Sequence, residues 1–272
     1  MSFPPHGVST LQGWLPSVAM VVRVMLFPAA LSAQSMSLRE AELPWAVRSA
    51  LVDTGQTTPH VVRWYEALAV AGAVSTAFLV DEPLQRYLQR HRSSTSDDVA
   101  TAFRHLGQPE VYGTLSLGLI GSGLITHRPN LTRAGGRLVA SIVLSAAEFE
   151  AIKRLSGRAR PDSGLGAFHF DPFSDSESLP SGHVTVAFTL AASLADDIHR
   201  PWATVGLYTL ATGTAYSRLN DDRHWLSDTA LGAALGITTA KLVDGHWQVF
   251  GIHPPRFLLD PAGPGLEASL AF

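Results

Sequence analysis

The longest uncharged stretches of this 272-residue chain run for about 14 to 17 residues without a strand-like alternation of polar and apolar positions. ALAVAGAVSTAFLV (67–80) and VYGTLSLGLIGSGLIT (111–126) are examples. Apolar runs of that length exceed the four to eight residues of an ordinary strand and fit helices. With RLVASIVLSAAEFEAIKRL (137–155) and the segments 183–196, 202–216 and 225–243, they define an all-α helical bundle of about six main helices. The first helix is expected to stop at Asp81-Glu82-Pro83, since proline removes a backbone donor and clashes with the preceding turn, and LQRYLQRHR follows as a short amphipathic piece. Ser94-Thr95-Ser96-Asp97-Asp98 offers a capping and acidic first turn for a further short helix, and Gly107 a stop. A strand pattern emerges only at the C-terminus, where a turn-rich stretch ending in Gly263-Pro264-Gly265 separates RFLL from LEASLAF; a small hairpin is expected there.

Three ordered clusters carry the chemistry. Lys153 is followed after six residues by Arg160-Pro161; then comes Pro180-Ser181-Gly182-His183; then Ser217-Arg218, with His224 after five residues and Asp228 after three more. Arginine grips phosphate oxygens bidentately, and lysine adds a compact point charge. Two histidines can divide nucleophile and general-acid duties. Ser181-Gly182 precedes the expected helix HVTVAFTLAASLA, whose free N–H groups favour an anion. The spacing of His224 and Asp228 puts them on one helical face, where the carboxylate can accept from one ring nitrogen and fix the tautomer. Pro161 is expected to end the helix carrying Lys153 and Arg160. Only two lysines occur, Lys153 and Lys241, so lysine at the motif position stands out against an arginine-biased background. The run Asn220-Asp221-Asp222-Arg223 reads as a solvated turn, and His105, His169, His199 and His246 lack a partner pattern.

These motifs resemble the signature of the type 2 phosphatidic-acid phosphatase family, whose site is shared with bacterial class A acid phosphatases and vanadium haloperoxidases. All eleven signature positions are filled, and the resemblance covers about residues 64–245. It implies a metal-independent phosphatase acting on phosphomonoesters or lipid phosphates and pyrophosphates. In that scheme His224 becomes a phosphohistidine, His183 protonates the leaving oxygen, Asp228 orients His224, and Lys153, Arg160, Ser181, Gly182 and Arg218 hold the phosphoryl group. No metal ligand set and no cofactor are called for. The alternatives it leaves are a soluble periplasmic acid phosphatase of broad specificity, a vanadate haloperoxidase, or an inactive envelope protein retaining the fold.

Composition bears on partners. Charged residues are 16% of the chain, well below the usual quarter, so much surface is buried or lipid-facing. A net charge of −3 gives no electrostatic footprint for nucleic acid. Cysteine is absent, which removes disulfide, thiolate-metal and thiol-nucleophile chemistry. Residues 1–33 read as a signal peptide: Arg23, the apolar core VMLFPAAL, then Ser32-Ala33 for cleavage. A lead-in segment (34–63), the catalytic domain (64–245) and a C-terminal tail (246–272) complete the expected organisation. The expected partner is a phosphorylated small molecule or lipid at a membrane, and the expected location is the cell envelope with the site facing the periplasm. The loop GLGAFHFDPFSDSES between Arg160 and Pro180 is placed to shape access.

Overall fold

Each long apolar run folds as a helix. The computed structural model describes residues 60–249, 256–260 and 263–267; the expected signal peptide and most of the lead-in lie outside them. After a short strand β1 (His60–Val62) come α1 (Trp64–Arg90), α2 (Ser94–Leu106), α3 (Pro109–Ile125) and α4 (Pro129–Ser156). A single 3₁₀ turn (Pro161–Ser163) lies in the loop that leads to α5 (Gly182–Ile198), followed by α6 (Pro201–Asn220) and α7 (Leu226–Val243). Strand β2 (Trp247–Val249) returns to pair in parallel with β1, His60 opposite Trp247. Strands β3 (Arg256–Asp260) and β4 (Gly263–Glu267) form an antiparallel hairpin. The fold is all-α with a small strand element.

Proline at the first helical position starts α3, α4 and α6, where its missing N–H costs nothing. Ser93 caps α2, its hydroxyl accepting from Ser96 N–H at 3.2 Å. Three expectations shift. The hairpin takes Gly263-Pro264-Gly265 into its second strand rather than its turn. Helix α4 begins at Pro129, eight residues before the expected start. Helix α1 does not stop at Asp81-Glu82-Pro83 but continues to Arg90 with Pro83 inside it. Tertiary bonds override the local breaker: Asp81 and Glu82 are engaged from across the bundle, and Gln85 and Gln89 donate to Asp222 Oδ1 and to the Leu219 and Asn220 carbonyls.

Helix α5 is central, packing on α4, α6 and α7, and α1 lies along α7. The α5–α7 contact needs glycine: a Cβ on Gly236 would sit 2.2 Å from the Thr185 carbonyl oxygen. The core mixes alanine and leucine, Leu115, Leu138 and Leu190 among them, with buried hydroxyls such as Ser116, Ser141, Ser145, Thr185, Thr189, Thr214 and Thr239. Other large apolar side chains, such as Leu79, Leu117, Ile125, Val143 and Val205, are exposed.

Candidate active site

The three clusters meet at one end of the bundle. Lys153, almost fully buried, stands in the last turn of α4, its Nζ 3.5 Å from Glu150 Oε1, 3.9 Å from Glu177 Oε2 and 5.1 Å from the Phe149 ring centroid. The helix ends not at Pro161 but at Gly157, whose φ of +51° is left-handed and whose Cβ, were there one, would lie 1.6 Å from Asp171 O. Glycine ends the helix there because it takes a left-handed φ without steric cost and no Cβ fits that space. Arg160 therefore lies beyond α4, in the loop, immediately before the 3₁₀ turn.

Ser181 is the N-cap of α5, Gly182 its first residue and His183 its second. Ser181 N–H donates to the Asp228 carbonyl at 3.1 Å. Its hydroxyl makes no capping bond, and Ser181 Oγ is buried without a hydrogen-bond partner. A Cβ on Gly182 would press on the Phe149 ring at 3.1 Å. Arg218, in the last turn of α6, is buried and pairs with Asp221 at 3.3 Å, leaving its Nε buried and unbonded.

His224 sits before α7 rather than on it, and Asp228 occupies the third helical position, where Oδ2 accepts Trp225 N–H at 2.8 Å. Both are buried. The direct bond expected between them is not made: His224 Nδ1 is 2.8 Å from the Ser178 carbonyl oxygen but 3.6 Å from Asp228 Oδ2. A carbonyl only accepts, so Nδ1 carries the proton and a neutral His224 keeps its lone pair on Nε2.

The charges converge on the two imidazoles. Burial, then the nearby charges of Arg218, His224, Lys153 and Arg160, push His183 down to about 4. Burial also holds His224 below the ordinary histidine range; Asp228 opposes this, while Arg218 and Arg160 add to it. For Asp228, burial pushes upward, but His224, the Arg158 guanidinium and the Ser178 hydroxyl outweigh it and hold the carboxyl low. All the expected site residues thus belong to one end of the bundle, with Lys153, Arg160, Arg218 and His224 all within electrostatic reach of His183.

Sequence reasoning missed the residues behind them. Arg158 is fully buried and donates to Asp228 Oδ1 (2.5 Å), Ser227 Oγ (2.6 Å), Asp81 Oδ2 (2.7 Å) and, twice, to Ala167 O (2.7 and 2.9 Å). Ser178 Oγ donates to Asp228 Oδ2 at 2.6 Å. The signal for Asp81 was present: an ionisable residue at the end of an apolar run has a reason to be there. The run Asn220–Arg223 is also more than a solvated turn, since Asn220 is buried and Asp221 is bonded by Arg104 at 2.8 Å.

Among the described residues, one group has metal-ligand character: Asp196, Asp244 and His246, with candidate atoms within 4.8 Å of one another. It lies at the opposite end of α5 and α7, about 20 Å along α5 from His183 at 1.5 Å per residue. Lys241 and Arg137 already pair with its carboxylates. His246, expected to be partnerless, lies 3.1 Å from Asp196.

Residues 134–247 match the PAP2 superfamily. A lipid A 1-phosphatase of Porphyromonas gingivalis is 41% identical over 93 residues, which are 34% of this chain and 18% of that protein. A decaprenylphosphoryl-5-phosphoribose phosphatase of Mycobacterium tuberculosis is 32% identical over 147 residues, 53% of this chain and 77% of the relative. The chain spans less than half the length of the lipid A 1-phosphatases it matches. A transmembrane PAP2-type phosphatidylglycerolphosphate phosphatase from Bacillus subtilis shares the fold, at TM-score 0.52 and 23% identity over 65% of this chain and 90% of that one. The chain belongs to the PAP2 superfamily, the type 2 phosphatidic-acid phosphatases.

Proposed function

We propose that this protein is a membrane-associated phosphatase that removes phosphate from a lipid phosphate or pyrophosphate through a phosphohistidine, without a metal. The observation that carries the reading is the bond from His224 Nδ1–H to Ser178 O, which leaves Nε2 unprotonated on an imidazole within electrostatic reach of Arg160 and Arg218. Nε2 attacks phosphorus, the bond from phosphorus to the leaving oxygen breaks, and His183 donates that oxygen its proton. His183 then takes a proton from water, whose oxygen attacks phosphorus and cleaves the P–N bond, releasing phosphate. His183 gains its acid role on binding: burial and, after it, the nearby cations push its imidazole down to about 4, and a phosphate dianion offsets the cations. The unbonded Ser181 Oγ and Arg218 Nε, with the α5 N-terminus, suit the phosphoryl oxygens.

The lipid part of the reading rests on the large apolar side chains that the helices leave exposed, and on relatives that act on phosphorylated lipids. Helix α1, at 27 residues, is long and apolar enough to cross a bilayer, and only 11% of its most apolar window is buried. The catalytic domain of this reading runs from 64 to 245, after a signal segment (1–33) and lead-in (34–63) and before a tail (246–272), with the site toward the periplasm. The test is a panel of lipid phosphates and nitrophenyl phosphate, offered to detergent-purified protein with excess chelator. Turnover with an acid-labile phosphate adduct on His224 is expected. Near-normal turnover by His224→Ala would sink the mechanism.

A further inference from the structure

We infer that Arg158 and Asp81 are positioning residues, and that the chain Asp81–Arg158–Asp228 sets the charge felt by His224. The inference rests on the reading of His224 as nucleophile. Arg158 has five N–H groups, and each finds an acceptor: Nε and one Nη2 hydrogen on Ala167 O, the other on Asp81, and the two Nη1 hydrogens on Ser227 Oγ and Asp228. Its guanidinium lies 4.4 Å from the Phe78 ring centroid and 5.7 Å from that of Trp225. Asp81 accepts Ser227 N–H at 2.8 Å and Ser227 Oγ–H at 2.5 Å. All three charged side chains are excluded from water. One cation is thus shared between two carboxylates. If Asp228 alone held Arg158, its charge would be largely cancelled; because Asp81 draws on the same guanidinium, Asp228 keeps a negative field at His224.

The other charged or titratable groups facing His224 are Arg218 from α6, Arg160 from the loop after α4 and His183 from α5. The variants leave all of them in place. The experiment measures pH profiles of kcat/KM and kcat on nitrophenyl phosphate for D81N, R158M and R158K, with folding checked by circular dichroism and melting. The acid limb reports loss of a proton from His224. D81N leaves Arg158 unshared, disfavours the imidazolium, and should move that limb down by about half a pH unit. R158M leaves Asp228 unneutralised and should move it up. R158K keeps the charge but not the five-donor fork; kcat should fall on the order of 10- to 100-fold with KM within about twofold. Each shift has its own sign, so a folded D81N or a folded R158M decides alone if the other does not fold. A limb that stays put or moves the opposite way in a folded variant overturns the inference. If wild-type protein forms no adduct on His224, the nucleophile reading falls instead, which separates the two failures.

Discussion

His224 donates its Nδ1 proton to the main-chain carbonyl of Ser178 at 2.8 Å, and the carboxylate four residues on stands off at 3.6 Å. The tautomer of His224 is therefore held by backbone. Asp228 works at one remove, through its field and through the bonds it accepts from Ser178 Oγ and Trp225 N.

That division predicts unequal losses. Asp228→Asn should lower kcat by on the order of 10- to 100-fold, because the tautomer survives while the field and the local geometry weaken. His224→Ala should abolish turnover. Steady-state kinetics on a nitrophenyl ester decide it; equal, complete losses in both would mean that the carboxylate, not Ser178 O, fixes the ring.

A second prediction concerns His183. If it protonates the leaving oxygen, His183→Asn should slow alkyl phosphates far more than nitrophenyl phosphate, whose leaving group needs little protonation. Equal slowing across a leaving-group series would assign His183 to phosphate binding alone.

The same residue links stability to pH. His183 and His224 both titrate below the ordinary histidine value in the folded state. The unfolded chain therefore binds more protons between about pH 6.5 and 4, and stability is lost as pH falls through that window. His183→Asn removes part of this penalty. Its melting temperature relative to wild type should rise steadily from pH 7 to pH 4.5, read by scanning calorimetry in one detergent. A constant difference would contradict the buried, depressed imidazole.

The candidate site positions were readable because they lie in linear motifs, and the bundle because its helices follow long apolar runs. What stayed hidden was tertiary. Arg158 meets Asp81 and Asp228 across 77 and 70 positions of chain, and Ser227 meets Asp81 across 146. No local periodicity reports such pairs. The same contacts explain why the breaker Asp81-Glu82-Pro83 failed to break: the carboxylates that look like a helix terminus are ligands for Arg158, Ser227 N–H and Ala167 N–H. His224 and Asp228 have helical spacing, yet α7 starts between them.

Close packing of α5 on α7 gives a paired prediction. A methyl at Gly236 meets the Thr185 carbonyl oxygen, and backbone cannot step aside cheaply. Gly236→Ala should therefore lose about 1–3 kcal/mol to overpacking, which exceeds the gain of up to about 1 kcal/mol in helix propensity. At Gly206 on α6 a Cβ meets nothing within 4 Å, so Gly206→Ala should keep that gain. Thermal melts of both variants test the pair; stabilisation by Gly236→Ala would show that α5 and α7 are not in contact as described.

Membrane attachment is the remaining prediction, and α1 carries it. Its 27 residues span about 40 Å at 1.5 Å per residue, more than the roughly 30 Å hydrocarbon core of a bilayer. Leu68, Val70 and Leu79 project from it without cover. At the site end, Leu165, Phe168 and Phe173 of the loop between α4 and α5 are likewise exposed, side chains of the kind that head-group regions accommodate. Exposed apolar side chains on this scale mark a surface that meets a partner or lipid, and a bilayer suits it, because the small residues among the buried leucines let helices approach closely. After cell breakage the protein should sediment with membranes and stay there through a carbonate wash. Leu79→Lys, which places a charge on the exposed side of α1, should lower the membrane-retained yield several-fold. Quantitative release of the wild-type protein by carbonate would overturn the membrane assignment and favour a soluble periplasmic phosphatase, with the chemistry at His224 unchanged.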